Sequence, residues 1–180
     1  MNNPLYILFA LTPFLAALCF YDCRYRRLPN LLTLPIAVVS LAWRLGEGGT
    51  SLFMNGLWGG VLCGLFLLLP YFMRGAGGGD VKMLFAIGCA LGLNRCGALL
   101  MLMSVSGVVL AMVMLVFNKV DGRRLKHYVR VVFDFRYDRV EGRKNLPDKH
   151  DEKNKVPFGV AIAAGAWLAL ILEISVKYSR

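Results

Sequence analysis

Apolar residues in this chain come in long unbroken blocks, without the spaced stripe of a half-buried helix or the alternation of a half-buried strand. Six blocks stand out, at 4–21, 31–43, 52–73, 81–93, 98–117 and 156–176. A helix that crosses a bilayer needs about 20 apolar residues. The first, third, fifth and sixth blocks reach that length. The second and fourth hold 13 residues each, which as helix cover roughly 20 Å of a ~30 Å hydrocarbon core. Glycines recur inside the blocks. Gly56, Gly60 and Gly64 share one helical face in "GLWGGVLCG", and Gly88 and Gly92 repeat the spacing. Small residues four apart let helix backbones approach closely in lipid, so the pattern predicts a compact bundle.

Charge decides whether the short blocks count. With six spans the loops alternate sides, and all but four of the 21 Lys/Arg residues then fall on one side. The exceptions are Arg44, Arg95, Lys177 and Arg180. Basic loops stay cytoplasmic during insertion. The expected fold is therefore an all-α, polytopic membrane bundle of six transmembrane helices with both termini outside. Loops 22–30, 74–80 and 118–155 face the cytoplasm, and residues 1–180 form a single membrane-embedded domain. The hydrophobic share of 57% and mean hydropathy of +0.56 agree with a membrane protein. The net charge of +10 then reads as an insertion signal and an attraction to anionic lipids. It tracks the span boundaries, which argues against nucleic acid as a partner.

The N-terminus, "MNNPLYILFALTPF", has no basic start and no small-residue cleavage site, so it reads as a retained first span. Segment 118–155 is charged and carries "RVVFDFRYDRV", a short strand-like alternation that equally suits the membrane surface. The five cysteines form no CxxC pair and are expected to be free, buried thiols. His127 and His150 lack partners at metal-ligand spacing. Neither a metal nor a cofactor is expected.

Two aspartates remain. Asp22, in "YDCRYRRLPN", and Asp80, in "RGAGGGDVK", both lie at the cytoplasmic edge, each heading toward a short block. An ionisable group at membrane depth is costly, and that cost marks a functional site. Ordinary readings exist for each: Asp80 as an N-cap, Asp22 as the ion partner of Arg26. Together, two carboxylates held close in a poorly hydrated site share a proton near neutral pH. One can then take a proton from water while the other polarises a carbonyl. Gly77 to Gly79 leave room for an extended peptide beside Asp80. "GGGDVK" lacks the spacing of a phosphate-binding P-loop. Ser104 and Ser106 have no histidine in the spans to activate them.

These residues carry a resemblance. Gly77-Gly78-Gly79-Asp80 matches the GxGD signature of membrane aspartyl proteases. Asp22, Arg24 and Leu28-Pro29-Asn30 resemble the D-x-R-x-x-x-[IL]-P-N motif of type IV prepilin peptidases. Lys82 fits the same family, and "VPFGVAIAAG" is similar to the start of its last helix. The resemblance implies an inner-membrane endopeptidase that needs no metal and cuts the basic leader from prepilins at the cytoplasmic face. Asp22 and Asp80 would be its catalytic pair, and Gly77, Gly79, Lys82, Arg24, Pro29 and Asn30 would support them. Only "DCRYRRLPN" separates the first two blocks, where many members carry a cysteine-paired segment. The chain thus resembles the short, peptidase-only form of tight-adherence (Flp-type) pilus systems, without N-methylation. Tyr21-Asp22 is also similar to the YD motif of presenilin-like and signal-peptide-peptidase-like proteases. A non-enzymatic assembly or transport subunit is the alternative from another class.

Overall fold

The computed structural model describes residues 4–25, 30–72, 76–116 and 158–179. Arg26, Pro29 and the charged segment 118–155, with its strand-like alternation, lie outside the described residues. Five helices follow in order: α1 (Pro4–Tyr25), α2 (Asn30–Phe72), α3 (Gly78–Leu91), α4 (Leu93–Val116) and α5 (Phe158–Tyr178). Four of them, all but α3, are long and apolar enough to cross a membrane. The described chain is thus an all-α bundle of a multi-pass membrane protein.

The second and third apolar blocks form one element, α2, broken at Gly48 (φ −143°, ψ 20°) and Gly49 (φ 62°, ψ −154°). Gly49 occupies a region of backbone space that side chains exclude, so glycine makes the break possible. The chain folds back there. Arg44 Nη1 donates to Asn55 Oδ1 at 3.5 Å, whereas in an unbroken helix these residues would be about 16 Å apart. The first arm continues beyond the expected end at residue 43, through Arg44 to the break. Helix needs only local backbone bonding, so it outlasts the apolar run that marked it.

The second arm of α2 lies antiparallel to α3 at very short range. A Cβ on Gly59 would stand 2.8 Å from Gly88 O, and one on Gly88 would stand 2.6 Å from Gly59 O. Gly56 and Gly60 also pack on α3, as the glycine spacing predicts, and Gly64 meets Phe85 more loosely. Gly59, one residue off the expected face, makes the tightest backbone approach. Gly59→Val is expected to destabilise the bundle by about 1–3 kcal/mol. A lowered melting temperature of the detergent-solubilised protein is the readout, and an unchanged one would refute the close packing.

Helix α3 explains its own short length. Nine of its residues are buried, from Asp80 to Leu91, and it packs against α2, α4 and α5. Beyond Lys82 the helix is apolar on every side, which suits such an enclosed position. At Gly92 (φ 80°) the chain turns back into α4. Cys96, in the first turns of α4, returns beside Cys63 (Sγ–Sγ 3.3 Å) on α2.

Helices α4 and α5 run antiparallel. Gly107 stands by Ala161, Gly165 by Met103, and Arg95 by Glu173. A Cβ on Gly165 would stand 2.5 Å from Met103 Cα, another backbone-to-backbone contact that a side chain would block. Arg95 forms a two-pronged bond to Glu173, Nε–Oε2 2.6 Å and Nη2–Oε1 2.8 Å, which ties the start of α4 to the end of α5. The expectation of buried cysteines holds for Cys63, Cys89 and Cys96; Cys19 is half-buried and Cys23 is exposed. Cys23 lies on the outer face of the last turns of α1, one residue beyond the buried stripe described next.

Candidate active site

Helix α1 buries one stripe: Ile7, Leu11, Leu15 and Leu18. Their spacing of three and four residues keeps them on a single face. Asp22 falls next on the same stripe and is 6% exposed. The sequence therefore carries the carboxylate into the bundle where the pattern would otherwise place another leucine. α1 packs against α5, and its partner at this level is the first turn of that helix. Gly159 N donates to Asp22 Oδ2 at 2.8 Å. The first amides of a helix have no carbonyl partner within it, and the positive end of the helix favours a negative group. Asp22 thus caps α5 from a different helix, 137 residues away. A Cβ on Gly159 would stand 2.7 Å from Asp22 Oδ2 and 3.1 Å from its Cγ. Only glycine leaves room for this approach.

Asp80 is held in a related way. It is 9% exposed and sits at the third position of α3, not at the N-cap, which is Gly77. Its Oδ2 accepts the Gly77 amide hydrogen at 2.9 Å. In return, Gly77 O accepts the amide of Asp80 at 3.1 Å. The carboxylate therefore closes the first turn of its own helix, as the acidic member of a capping box does. A Cβ on Gly77 would stand 3.1 Å from Asp80 Oδ2, so a larger residue would crowd the carboxylate. The N-cap reading of Asp80 is corrected by three positions, although the capping chemistry survives.

Both aspartates lie at one end of the bundle. α3 turns back into α4 at Gly92, and α4 runs antiparallel to α5, so α3 and α5 start at the same end. Gly159 draws Asp22 to that end, and Asp80 is in the first turn of α3. α5 packs on both α1 and α3 and forms the common support. Each carboxylate is buried, fixed by a backbone amide and set at a helix N-terminus.

The supporting residues divide. Gly77 precedes α3 and is exposed; Gly79 is half-buried within its first turn; Lys82 is exposed one turn on. Arg24 is exposed in the last turn of α1. Asn30 opens α2, and Pro29 lies outside the described residues. Sequence reasoning missed two residues. Gly159 was visible within the "VPFGVAIAAG" stretch, but nothing local showed what its amide would meet. Thr33, 1% exposed near the start of α2, follows the Leu28-Pro29-Asn30 motif and is a polar group buried near this end.

The sequence profile of the type IV leader peptidase family matches residues 9–115, which include both aspartates. The chain is 34% identical over 113 residues to a prepilin leader peptidase/N-methyltransferase of Neisseria gonorrhoeae. That alignment covers 58% of this chain and 38% of the relative. No solved structure gives a significant match.

Proposed function

The chain belongs to the type IV leader peptidase family, and from that premise we propose that it is a membrane aspartyl endopeptidase. Its substrate is the N-terminal leader of a type IV, Flp-like prepilin, and Asp22 and Asp80 are its catalytic pair. The observation that carries this reading is the shared setting of the two aspartates. Both are buried at one end of the bundle, each fixed by a backbone amide. Burying a carboxylate is costly, and a purely structural cap can be made by a neutral Ser, Thr or Asn.

The chemistry proceeds through one shared proton. The ionised aspartate accepts a proton from water as the water oxygen attacks the scissile carbonyl. The protonated aspartate donates a hydrogen bond to the carbonyl oxygen, where negative charge develops. Collapse of the tetrahedral adduct breaks the C–N bond, and a proton passes from the pair to the departing amine. The products are the leader's carboxylate and the free amine of the mature pilin. The exposed Gly77 and Gly78 flank Asp80 and leave space for an extended substrate backbone. The bonds to Gly159 and Gly77 hold the two carboxylates in place before substrate arrives.

The topology that accompanies this reaction has six spans in the inner membrane, both termini outside and the aspartates at the cytoplasmic face. The fold-back of α2 at Gly48–Gly49 supports it by turning four long helices and one short helix into six passes. Arg24 and Lys82, both exposed beside the site, meet anionic lipid headgroups. The absence of a long segment between α1 and α2 goes with peptidase activity alone. One co-expression experiment addresses these points. The protein, with a reporter after Arg180 that is active only outside the cytoplasm, is paired with candidate prepilins. Leader loss after a glycine, an active reporter and an unmethylated mature N-terminus by mass spectrometry are expected. A methylated N-terminus would overturn the peptidase-only assignment, and no cleavage of several prepilins by inserted protein would overturn the enzyme reading.

A further inference from the structure

The end of the bundle away from the aspartates holds a second polar feature. A cavity of about 600 Å³ opens among the break in α2, the start of α4 and the end of α5. Its lining includes Arg44, Ser51, Asn55, Asn94, Arg95 and Glu173, and most of the remainder is aliphatic. Leu91, which also lines it, lies eleven residues beyond Asp80 on α3, about 16 Å along the helix axis. The cavity is therefore separate from the proposed catalytic pair.

Arg44 is the unusual member. It is only 4% exposed, and a buried cation is costly unless it is paired. Its Nη2 donates to Ala90 O at 3.0 Å and its Nη1 to Asn55 Oδ1 at 3.5 Å. Both acceptors are neutral, although the first belongs to the negative end of α3. Its Nε is buried with no acceptor. Arg95, by contrast, is already matched by Glu173. Among the described residues, then, the cavity holds one more positive than negative side chain. α4 begins here, so its positive end adds to the same field.

We propose that this cavity binds a phosphate-bearing anion, held by the Arg44 guanidinium and the start of α4. Asn55, Ser51 and Asn94 supply neutral donors. A phosphate group presents several oxygens to convergent donors and suits the planar guanidinium fork. Two sources carry this chemistry: the headgroup of an anionic phospholipid, whose chains the aliphatic lining would accommodate, and free inorganic phosphate. The site does not depend on the protease reading.

The test uses the full chain purified in detergent. Native mass spectrometry follows dimyristoyl phosphatidylglycerol, with dimyristoylglycerol as the phosphate-free control, and calorimetry follows inorganic phosphate. One saturable phospholipid per chain is expected, with no matching retention of the diacylglycerol. Asn94→Leu, at an exposed position, is expected to weaken binding about tenfold while melting like wild type without ligand. Arg44→Gln is expected to abolish binding. If Arg44→Gln fails to fold, Asn94→Leu decides. Displacement of the lipid by inorganic phosphate assigns the site to the free anion; lipid binding that phosphate does not disturb assigns it to the headgroup. The proposal is overturned if neither probe binds saturably, if the diacylglycerol binds equally, or if Asn94→Leu binds as wild type does.

Discussion

Asp22→Asn and Asp80→Asn each reduce leader cleavage by at least ~10³-fold, within the range that a positioned acid or base contributes. The substitutions are chosen because they preserve the structure. An asparagine side-chain oxygen still accepts the Gly159 amide at position 22 and the Gly77 amide at position 80. The capping of α5 and α3 therefore survives, and the melting temperature should shift only slightly. What disappears is the ability to take a proton from water or to share one across the pair. Cleavage is followed by the gel shift of a co-expressed prepilin, with insertion checked in the same membranes. Near-wild-type cleavage by either variant would end the two-aspartate mechanism. It would favour a structural or transport role, in which the carboxylates serve only as caps or ion partners.

Gly159→Ala is expected to lower kcat by about 100-fold, the scale associated with misplacing a reacting group by about 1 Å. The added methyl would stand 2.7 Å from Asp22 Oδ2, 3.1 Å from Cγ and 3.3 Å from Cβ. It is fixed to a helix backbone, so it cannot swing away. Either Asp22 turns and its 2.8 Å bond to the Gly159 amide is lost, or α5 moves off α1. Gly107→Ala supplies the control: its Cβ meets only Ala161 Cβ, at 3.8 Å, an ordinary contact, and activity should be retained. A Gly159→Ala protein that melts normally but cleaves poorly would show that Gly159 acts by positioning Asp22. Wild-type cleavage would show that the carboxylate does not need this placement.

Much of this was legible along the chain because it depends on neighbours in sequence. Apolar blocks announce membrane helices since burial in lipid acts residue by residue, and each block led to a helix or an arm of one. Asp22 and Asp80 stood out because a carboxylate beside such a block is rare and expensive. The Gly56–Gly60 face announced a close crossing because side-chain size is a local property. The burial of Asp22 was not written there: the first block is apolar on every face, and only the structure turns the stripe from Ile7 to Leu18, which Asp22 continues, into the bundle.

Other features had no local signal. Two short blocks looked too brief to span a membrane. One is an arm that runs past its apolar stretch to a glycine break, and the other is short because three helices enclose it. Arg44 reads as one of four cations on the sparsely charged side, yet it is buried beneath the end of α3.

By itself, then, the sequence determined that this is a membrane bundle of helices and which two carboxylates are exceptional. The burial cost of each apolar or charged residue is set largely by its own chemistry. Only the tertiary structure decided that Gly159, in the last helix, holds Asp22, in the first. It also placed both carboxylates at one end and, at the other, a buried arginine whose acceptors among the described residues are neutral. Those outcomes depend on which helix faces meet, and the meeting is settled by packing among residues far apart in the chain.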